Sequence, residues 1–305
     1  MAELATQAIR AIDETAGRHD GYRVVHAKGV LCRGTFVATP AARGLTRAMH
    51  MQGDELPVTV RFSNASGDPG APDYARDARG MATKFYLPDG ARTDIVAVSL
   101  PSFFVRRPED FVAFTRATES PTRFANYVIR HREAWRAAAA AASLKPPVSY
   151  ATCSYNAVHA FGWTAPDGTA RSVRYTWVPA AGRHSLGKRQ AKRFGADYLQ
   201  REVRDRLARG PIRFSLSVQI AAPGDPTDDA TAVWPEDRER VEVGSLELSA
   251  LETDREREGD VLVFDPTRVT DGIELSADPL LPFRSHAYSI SVERRSGVAR
   301  PPELD

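Results

Sequence analysis

The sequence predicts an α+β fold in which a closed antiparallel β-barrel is flanked by helices. Short strand patterns repeat through the middle of the chain, and helical patterns lie towards both ends. A closed barrel suits repeated short strands, because closure leaves no unpaired strand edge. The 305 residues, 42% of them hydrophobic, can bury a substantial core. We therefore expect a single domain over residues 1–305.

The predicted elements follow the order of the chain. Residues 1–20 are expected to form a helical arm, and residues 21–265 to be mainly barrel with inserted helices. The clearest strand runs from Leu56 to Ser63, where apolar and polar residues alternate with a period of two. Further strands are predicted at Tyr155–Trp163, Ser172–Trp177 and Phe214–Ile220, with a hairpin turn at Pro166–Gly168.

Two helices are predicted within the barrel region. Residues Pro121 to Leu144 end in an alanine run, and alanine has the highest helix propensity. Residues Lys188 to Arg209 form a strongly charged helix whose charges we interpret as a solvated face. The aspartate-containing segment Ala222–Pro235 lacks the glycine and glutamate arrangement of an EF-hand, so we interpret it as a loop.

The last predicted element is a helix that begins after Pro282 and ends at Gly297. Arg284, Tyr288 and Arg295 stand at i, i+4 and i+11, so they fall within one stripe of that helix. A phenol stays protonated at neutral pH unless a charged donor such as Arg284 holds it as phenolate. A tyrosinate can ligate haem iron. The alternative is a surface helix with two arginines and a half-buried tyrosine.

The segment from Arg23 to Gly29 is predicted to be a strand that ends at its glycine. It carries one imidazole, His26, next to two valines, with a guanidinium three residues before it. An imidazole suits proton transfer because its pKa lies near neutrality. The alternative, which is the commoner case, is a structural histidine in an apolar strand.

Taken in chain order, these segments and several others resemble the haem catalase superfamily. The matching blocks are Arg23–Gly29, Pro57–Ser63, Asp77–Gly80, Lys84–Tyr86, Pro101–Phe104, Phe111, His159–Phe161, Val233–Pro235, Val243–Gly244, Phe264–Pro266, Gly272–Glu274 and Arg284–Tyr288. The resemblance covers residues 20–297 and is strongest to the short branch, the catalase-related peroxidases, which have a minimal catalase core. It implies a catalase-like barrel without the C-terminal helical domain of long catalases, and residues 266–297 as the proximal segment and haem-ligand helix.

The resemblance also implies a role for each matching side chain at a haem b site. His26 would be the distal acid/base, oriented by Ser63. Tyr288 would be the axial iron ligand, with Arg284 holding the charge of its phenolate. Three arginines would pair with the haem propionates, Arg61 among them from an inward-facing polar line, and two phenylalanines would wall the pocket. These residues are Arg23, Arg61 and Arg295, and Phe104 and Phe111.

The activity implied by the resemblance is that of a haem peroxidase, which reduces hydrogen peroxide or organic hydroperoxides with small organic electron donors. Two departures from true catalases predict weak catalase activity at most. The region Ala97–Leu100 lacks the asparagine that they carry there, and Val292 replaces a histidine found in many of them. Two other functions stay open: a hydroperoxide-rearranging, allene-oxide-synthase-like haem enzyme, and a non-catalytic haem-binding protein.

Composition narrows the range of partners. The net charge of +2, from 41 basic and 39 acidic side chains, indicates no general attraction to nucleic acid. No segment approaches the roughly 20 apolar residues that cross a bilayer, and the N-terminus lacks the pattern of a secretory signal. We expect a cytoplasmic protein whose partners are peroxide and small organic molecules. A homodimer is left open.

Overall fold

The computed structural model describes residues 1–252 and 261–296 of the chain. The α-helices in these residues are α1 (Ala2–Ala16), α2 (Pro40–Leu45), α3 (Pro108–Ala117), α4 (Pro121–Arg130), α5 (Trp135–Ser143), α6 (Lys188–Arg193), α7 (Tyr198–Arg209) and α8 (Leu280–Glu293). The strands are β1 (Gly29–Ala38), β2 (Leu56–Asn64), β3 (Arg79–Tyr86), β4 (Arg92–Val98), β5 (Tyr155–Asn156), β6 (Phe161–Thr164), β7 (Ala170–Pro179), β8 (Ile212–Ile220), β9 (Arg240–Leu251) and β10 (Ile273–Leu275).

Eight of the strands close into an antiparallel barrel, which confirms the predicted architecture. The order around the ring is β7, β5, β4, β3, β2, β1, β9 and β8, and β8 pairs with β7 to close it. Strands β6 and β10 extend the sheet beside β7. Most neighbours in the ring are also consecutive in the chain, so hairpins build much of the barrel, and the β1–β9 pairing joins its two ends.

The interior of the barrel is filled by apolar side chains from facing walls. The ring of Phe36 on β1 lies 5.1 Å from that of Phe85 on β3 and 6.1 Å from that of Trp177 on β7. Phe62 on β2 lies 6.0 Å from Phe214 on β8. An eight-stranded barrel is just wide enough for side chains to fill it, so this interior leaves no room for a large ligand.

Strand β2 is buried on both of its faces. Val60 and Phe62 belong to the apolar interior, and the alternation of the strand places Arg61 and Ser63 on the outer face. Arg61 and Ser63 are nevertheless 7% and 4% exposed, because helices cover this part of the barrel. The expectation that Arg61 lies on an inward face is therefore wrong. The apolar set fills the narrow interior, so the polar line faces out, towards the covering helices.

Both helices predicted within the barrel region are interrupted. The predicted helix Pro121–Leu144 is α4 and α5, separated at His131, whose φ of −114° and ψ of 84° are not helical. The predicted helix Lys188–Arg209 is α6 and α7, because Gly195 between them adopts a φ of +90°. In the described part of the chain, no helix combines the length and the apolar character that crossing a membrane requires.

Several other predicted elements are present with shifted ends. The N-terminal arm is helical as α1, and the strands predicted from Leu56, Ser172 and Phe214 correspond to β2, β7 and β8. The turn at Pro166–Gly168 joins the β6–β7 hairpin, with Gly168 at a φ of +85°. Residues 222–235 contain neither helix nor strand, as the loop interpretation predicts.

Candidate active site

A cavity lies between the outer wall of the barrel and helices α1, α3 and α8. Strands β2 to β5 supply the barrel side, and α8 supplies Arg284 and Tyr288. All nine side chains that the sequence nominates line this one cavity. They are Arg23, His26, Arg61, Ser63, Phe104, Phe111, Arg284, Tyr288 and Arg295. The fold therefore brings together residues that stand up to 272 positions apart, from 23 to 295.

The histidine of the cavity sits in a tight bend, not in a strand. His26 adopts a φ of +58°, and it is the one non-glycine residue with positive φ among those described. The amide of His26 donates to the carbonyl of Ala65, and the next amide donates to that of Ser66. Strand β1 begins only at Gly29, so the prediction of a strand over Arg23–Gly29 is wrong. The left-handed residue bends the chain and lets the imidazole reach the cavity.

Two neighbouring strands hold the His26 imidazole in place. Its Nδ1 lies 3.0 Å from Oγ of Ser63 on β2, and Nε2 makes no hydrogen bond to any described residue. Gly80 on β3 leaves the space that the ring occupies. A Cβ at Gly80 would lie 2.8 Å from Cε1 and Nδ1 of His26 and 2.7 Å from Oγ of Ser63. The hydrogen bond to Ser63 and the space left by Gly80 therefore determine the position of the imidazole.

The His26 imidazole is held in its neutral form. Burial, followed by the positive charges of Arg61, Arg284 and Arg23, lowers the pKa of His26 to about 3. A neutral imidazole can accept a proton, and the same three guanidinium groups would then disfavour keeping it. Such a group suits transient proton transfer in the cavity.

On α8, Arg284 organises the phenol of Tyr288. Nε and Nη2 of Arg284 donate to the Tyr288 hydroxyl oxygen at 3.0 and 2.6 Å, one helical turn apart. A guanidinium is permanently charged and can only donate, so the Tyr288 oxygen accepts two charge-assisted hydrogen bonds. Such an oxygen is suited to bind a metal cation.

A buried relay behind Arg284 completes this wall. Nη1 of Arg284 lies 2.9 Å from Nε2 of His159, and Nδ1 of His159 lies 2.8 Å from Oδ2 of Asp278. Because an arginine can only donate, Nε2 must accept, and the proton of the imidazole sits on Nδ1 facing the carboxylate. The other oxygen of Asp278 accepts from the amide of Leu280 at the start of α8. These hydrogen bonds therefore hold the side chain of Arg284 in a fixed orientation relative to the start of α8.

His159 reaches this position through a break in the sheet. The predicted strand Tyr155–Trp163 is in fact two strands, β5 and β6, interrupted at residues 157–160. His159 is 1% exposed, and burial lowers its pKa, which keeps the neutral tautomer that the relay requires. The sequence prediction of site residues missed His159 and Asp278. The one signal was the segment His159–Phe161, which belongs to the family resemblance but suggests no role by itself.

The cavity also has a strongly basic lining. Nη2 of Arg23 and Nη1 of Arg295 donate to the same carbonyl, that of Leu262, at 2.8 and 3.5 Å. Nη2 of Arg61 donates to the carbonyl of Ala27 at 3.2 Å. With Arg284, four guanidinium groups line the cavity, and the described lining residues include no carboxylate. Guanidinium groups bind carboxylates in a planar, two-pronged geometry, so the cavity suits an anionic ligand.

Arg295 lies beyond the end of its helix. Helix α8 ends at Glu293, before the predicted stop at Gly297, which lies outside the described residues. Nε of Arg295 nevertheless donates to the carbonyl of Ser291, one turn earlier. This bond keeps the side chain on the cavity side of the helix, as the predicted stripe requires.

The remaining walls are apolar. Phe104 stacks on Phe103 with ring centroids 4.2 Å apart and lies 5.7 Å from Phe111. Helix α1 contributes Ile9 and Ile12. These walls place apolar side chains around the polar groups of the cavity, where electrostatic interactions are stronger than in water.

The donor set fits a haem. A haem presents a flat apolar ring, a metal with open axial positions and two carboxylates on one edge. The cavity supplies apolar walls, a phenol oxygen with charged donors, an imidazole nitrogen that makes no hydrogen bond to a described residue, and several arginines. The residues present therefore match each part of the group.

Comparisons with known proteins agree with this architecture. The family model described as "Catalase" matches residues 18–300. The chain is 44% identical over 308 residues to a "Catalase-related peroxidase" of Mycolicibacterium paratuberculosis, with 96% of this chain and 95% of that protein covered. It is 33% identical to a "Catalase-related peroxidase" of Synechococcus elongatus, with coverages of 95% and 88%. A solved fungal catalase has a TM-score of 0.82 at 24% identity, over 92% of this chain and 61% of that chain, which shows the shared fold.

Proposed function

This chain belongs to the catalase family, and we propose that it is a haem b peroxidase that reduces hydrogen peroxide or organic hydroperoxides with small organic electron donors. The observation that carries the proposal is that one cavity holds two polar groups with different hydrogen-bond environments. One is an imidazole with a free nitrogen, and the other is a phenol oxygen held by a guanidinium. A haem between them would supply the iron at which the O–O bond is cleaved and would store the oxidising equivalents.

In the proposed mechanism, His26 moves the proton. Its neutral ring takes the proton from the O–H of the hydroperoxide and returns it to the departing oxygen, which leaves as water or an alcohol. The lowered pKa of about 3 supports both proton transfers, because the neutral ring can accept a proton at neutral pH and then gives it up readily. Ser63 orients the ring through Nδ1. We assign His26 and Ser63 to catalysis on this basis.

Tyr288 is the proposed iron ligand, and Arg284 keeps the charge on its oxygen. His159 and Asp278 are positioning residues, since they act on Tyr288 only through Arg284. Arg23, Arg61 and Arg295 are proposed to pair with the haem propionates, and Phe104 and Phe111 to wall the pocket. These residues form the proposed cofactor-binding set.

We further propose that catalase activity is weak. Val98 lines the cavity but has no polar group, and Oγ of Ser99 is engaged by the amide of Arg79. Neither side chain can hold a second hydrogen peroxide for oxidation to oxygen. The proposal also includes a single domain over residues 1–305, a cytoplasmic location, and partners that are small molecules and neither nucleic acid nor membrane. A homodimer remains open.

The test is an absorption spectrum of the purified protein, recorded before and after hydrogen peroxide or an alkyl hydroperoxide, with and without a phenolic donor. We expect a Soret band, its change on mixing with peroxide, and donor oxidation that greatly exceeds oxygen release. Absence of haem after reconstitution would contradict the proposal. Rearranged products formed without any donor would instead indicate a hydroperoxide-rearranging enzyme. A Soret band that ignores peroxide would indicate a passive haem-binding protein.

A further inference from the structure

One row of paired residues crosses the cavity wall and ends in a carboxamide. Gly29, Ser63, Gly80, Val98 and Asn156 are directly paired, each with the next, across strands β1 to β5. Directly paired residues of antiparallel strands project from the same face of the sheet. The face is that of the cavity, because Ser63, Val98 and Asn156 all line it. Asn156 therefore lies on the same wall as the His26 imidazole, which is packed over Gly80.

Two hydrogen bonds fix the Asn156 side chain and leave part of its hydrogen-bonding capacity unused. Its Nδ2 donates to the carbonyl of Leu100 at 3.0 Å, and its Oδ1 accepts from the hydroxyl of Thr176 at 3.2 Å. A carboxamide has two N–H donors and two acceptor lone pairs, so one of each is not used by these bonds. Asn156 is the single carboxamide among the described residues that line the cavity. It can both donate to and accept from a bound hydroxyl group.

The spacing of the strands limits which bound molecule can contact Asn156. Gly80 and Asn156 are two strands apart, which is roughly 10 Å at a strand separation of about 4.8 Å. The cavity is on the convex side of the barrel, so side chains along the row diverge. Two hydrogen bonds of roughly 2.8 Å and one short O–O bond span only roughly 7 Å. This spacing favours a second molecule at Asn156 over one hydrogen peroxide shared between Asn156 and His26.

Beyond its two hydrogen-bond partners, the carboxamide has apolar neighbours. Val98 is its paired neighbour, and Val158 stands two residues further along the chain and also lines the cavity. The anchoring residue Leu100 precedes the stacked pair Phe103 and Phe104 by only three and four positions. An apolar pocket beside a carboxamide favours a molecule with an apolar body and one polar group.

We propose that Asn156 is a specificity-determining residue that binds the hydroxyl group of a small phenolic electron donor, beside the position of the peroxide. The proposal rests on the proposed function and names the class of its donor. The ring of the phenol occupies the apolar pocket, and its O–H is shared with the carboxamide. A donor held there lies in the same cavity as the oxidising centre, so it need not react from solution.

The test compares Asn156→Leu with wild type in the haem-loaded protein. The first readout, made without peroxide, is the dissociation constant of phenol from the spectral change that it causes. The loss of one neutral hydrogen bond should weaken phenol binding about threefold to tenfold. Binding of toluene, which has the same ring without the hydroxyl, should not weaken. Asn156→Gln, which keeps the carboxamide, should recover part of the phenol affinity. Asn126→Leu on the exposed side of α4 is the matched control.

The second readout is the specificity for phenol relative to ferrocyanide, a donor without an apolar body. This ratio should fall about threefold to tenfold in Asn156→Leu and stay at the wild-type value in Asn126→Leu. If Asn156→Leu fails to fold, Thr176→Val removes one anchor of the carboxamide and should lower the same ratio.

Equal phenol affinity and an equal ratio in wild type and variants would overturn the proposal. A loss of oxygen release with phenol unaffected would overturn it too, since Asn156 would then serve a second peroxide. Failure of the proposed function is distinguishable, because the wild-type protein would then lack a haem spectrum or a reaction with peroxide.

Discussion

Replacement of Gly80 by alanine is expected to displace the His26 imidazole, the proposed acid/base, without removing any polar group. The added methyl carbon would lie 2.8 Å from two atoms of the His26 ring and 2.7 Å from Oγ of Ser63. The ring must then move by roughly 0.6 Å or more to reach an ordinary contact of about 3.4 Å. The backbone of Gly80 needs no positive φ, so the effect of the substitution is steric.

The size of the effect follows from this displacement. Overpacking of this kind costs about 1–3 kcal/mol of the free energy of unfolding. The 3.0 Å bond between His26 and Ser63 should also lengthen, since the methyl group enters between the two side chains. A misplacement of about 1 Å in a reacting group can cost about 100-fold in rate. We therefore expect Gly80→Ala to bind haem and to react with peroxide about 10- to 100-fold more slowly.

The assay is rapid mixing of the haem-loaded protein with hydrogen peroxide, alongside thermal unfolding and haem content. Gly162→Ala is the matched control, because Gly162 is also a strand glycine and the nearest atom to its added Cβ is 3.5 Å away. The control should keep the wild-type rate and change the free energy of unfolding by less than about 1 kcal/mol. A wild-type peroxide rate in Gly80→Ala would show that the position of His26 in the bend does not govern the reaction.

Four further predictions test individual groups. Tyr288→Phe should lose or severely weaken haem binding while its circular dichroism stays native, and normal haem content would remove Tyr288 as ligand. His26→Ala should retain haem and react with peroxide about 10²–10⁴-fold more slowly, as measured by rapid mixing, and unchanged reactivity in a folded variant would contradict its role. Because the pKa of His26 is lowered to about 3, the wild-type peroxide rate should stay level from pH 8 to about pH 5; a decline centred near pH 6.5 would show an ordinary imidazole. Burial also lowers the pKa of His50 to about 3, so acidification below the unfolded value of 6.5 favours the unfolded state. The contribution of His50 to the free energy of unfolding should therefore fall by about 1.4 kcal/mol per pH unit between about pH 5.5 and 3.5. Urea unfolding of His50→Leu should show a free energy of unfolding that depends less steeply on pH.

Part of the fold and of the candidate site could be predicted from local patterns in the sequence, and the family resemblance supplied the roles of the other site residues. The alternation of Leu56–Ser63 identifies a strand and shows that Arg61 and Ser63 share a face. The spacing of Arg284 and Tyr288 places them one turn apart on a helix, where the guanidinium meets the phenol oxygen. Such relationships need only the geometry of a single element.

Contacts between distant segments could not be predicted in this way. His159 and Asp278 are 119 residues apart, and their hydrogen bond exists only because β5 ends early and α8 begins beside it. Asn156 joins the row of Ser63 only through the register of four successive strands. Nothing in the residues around either pair indicates its partner.

The sequence alone determined which residues share a face of each element, because the periods of strands and helices are local properties. Tertiary structure alone decided which of those faces is the interior. The eight-stranded barrel is too narrow to hold more than its own apolar side chains, so Arg61 and Ser63 face outward. Helices α1, α3 and α8 cover that outer face, and the cavity between the two layers brings His26 to the side facing Tyr288.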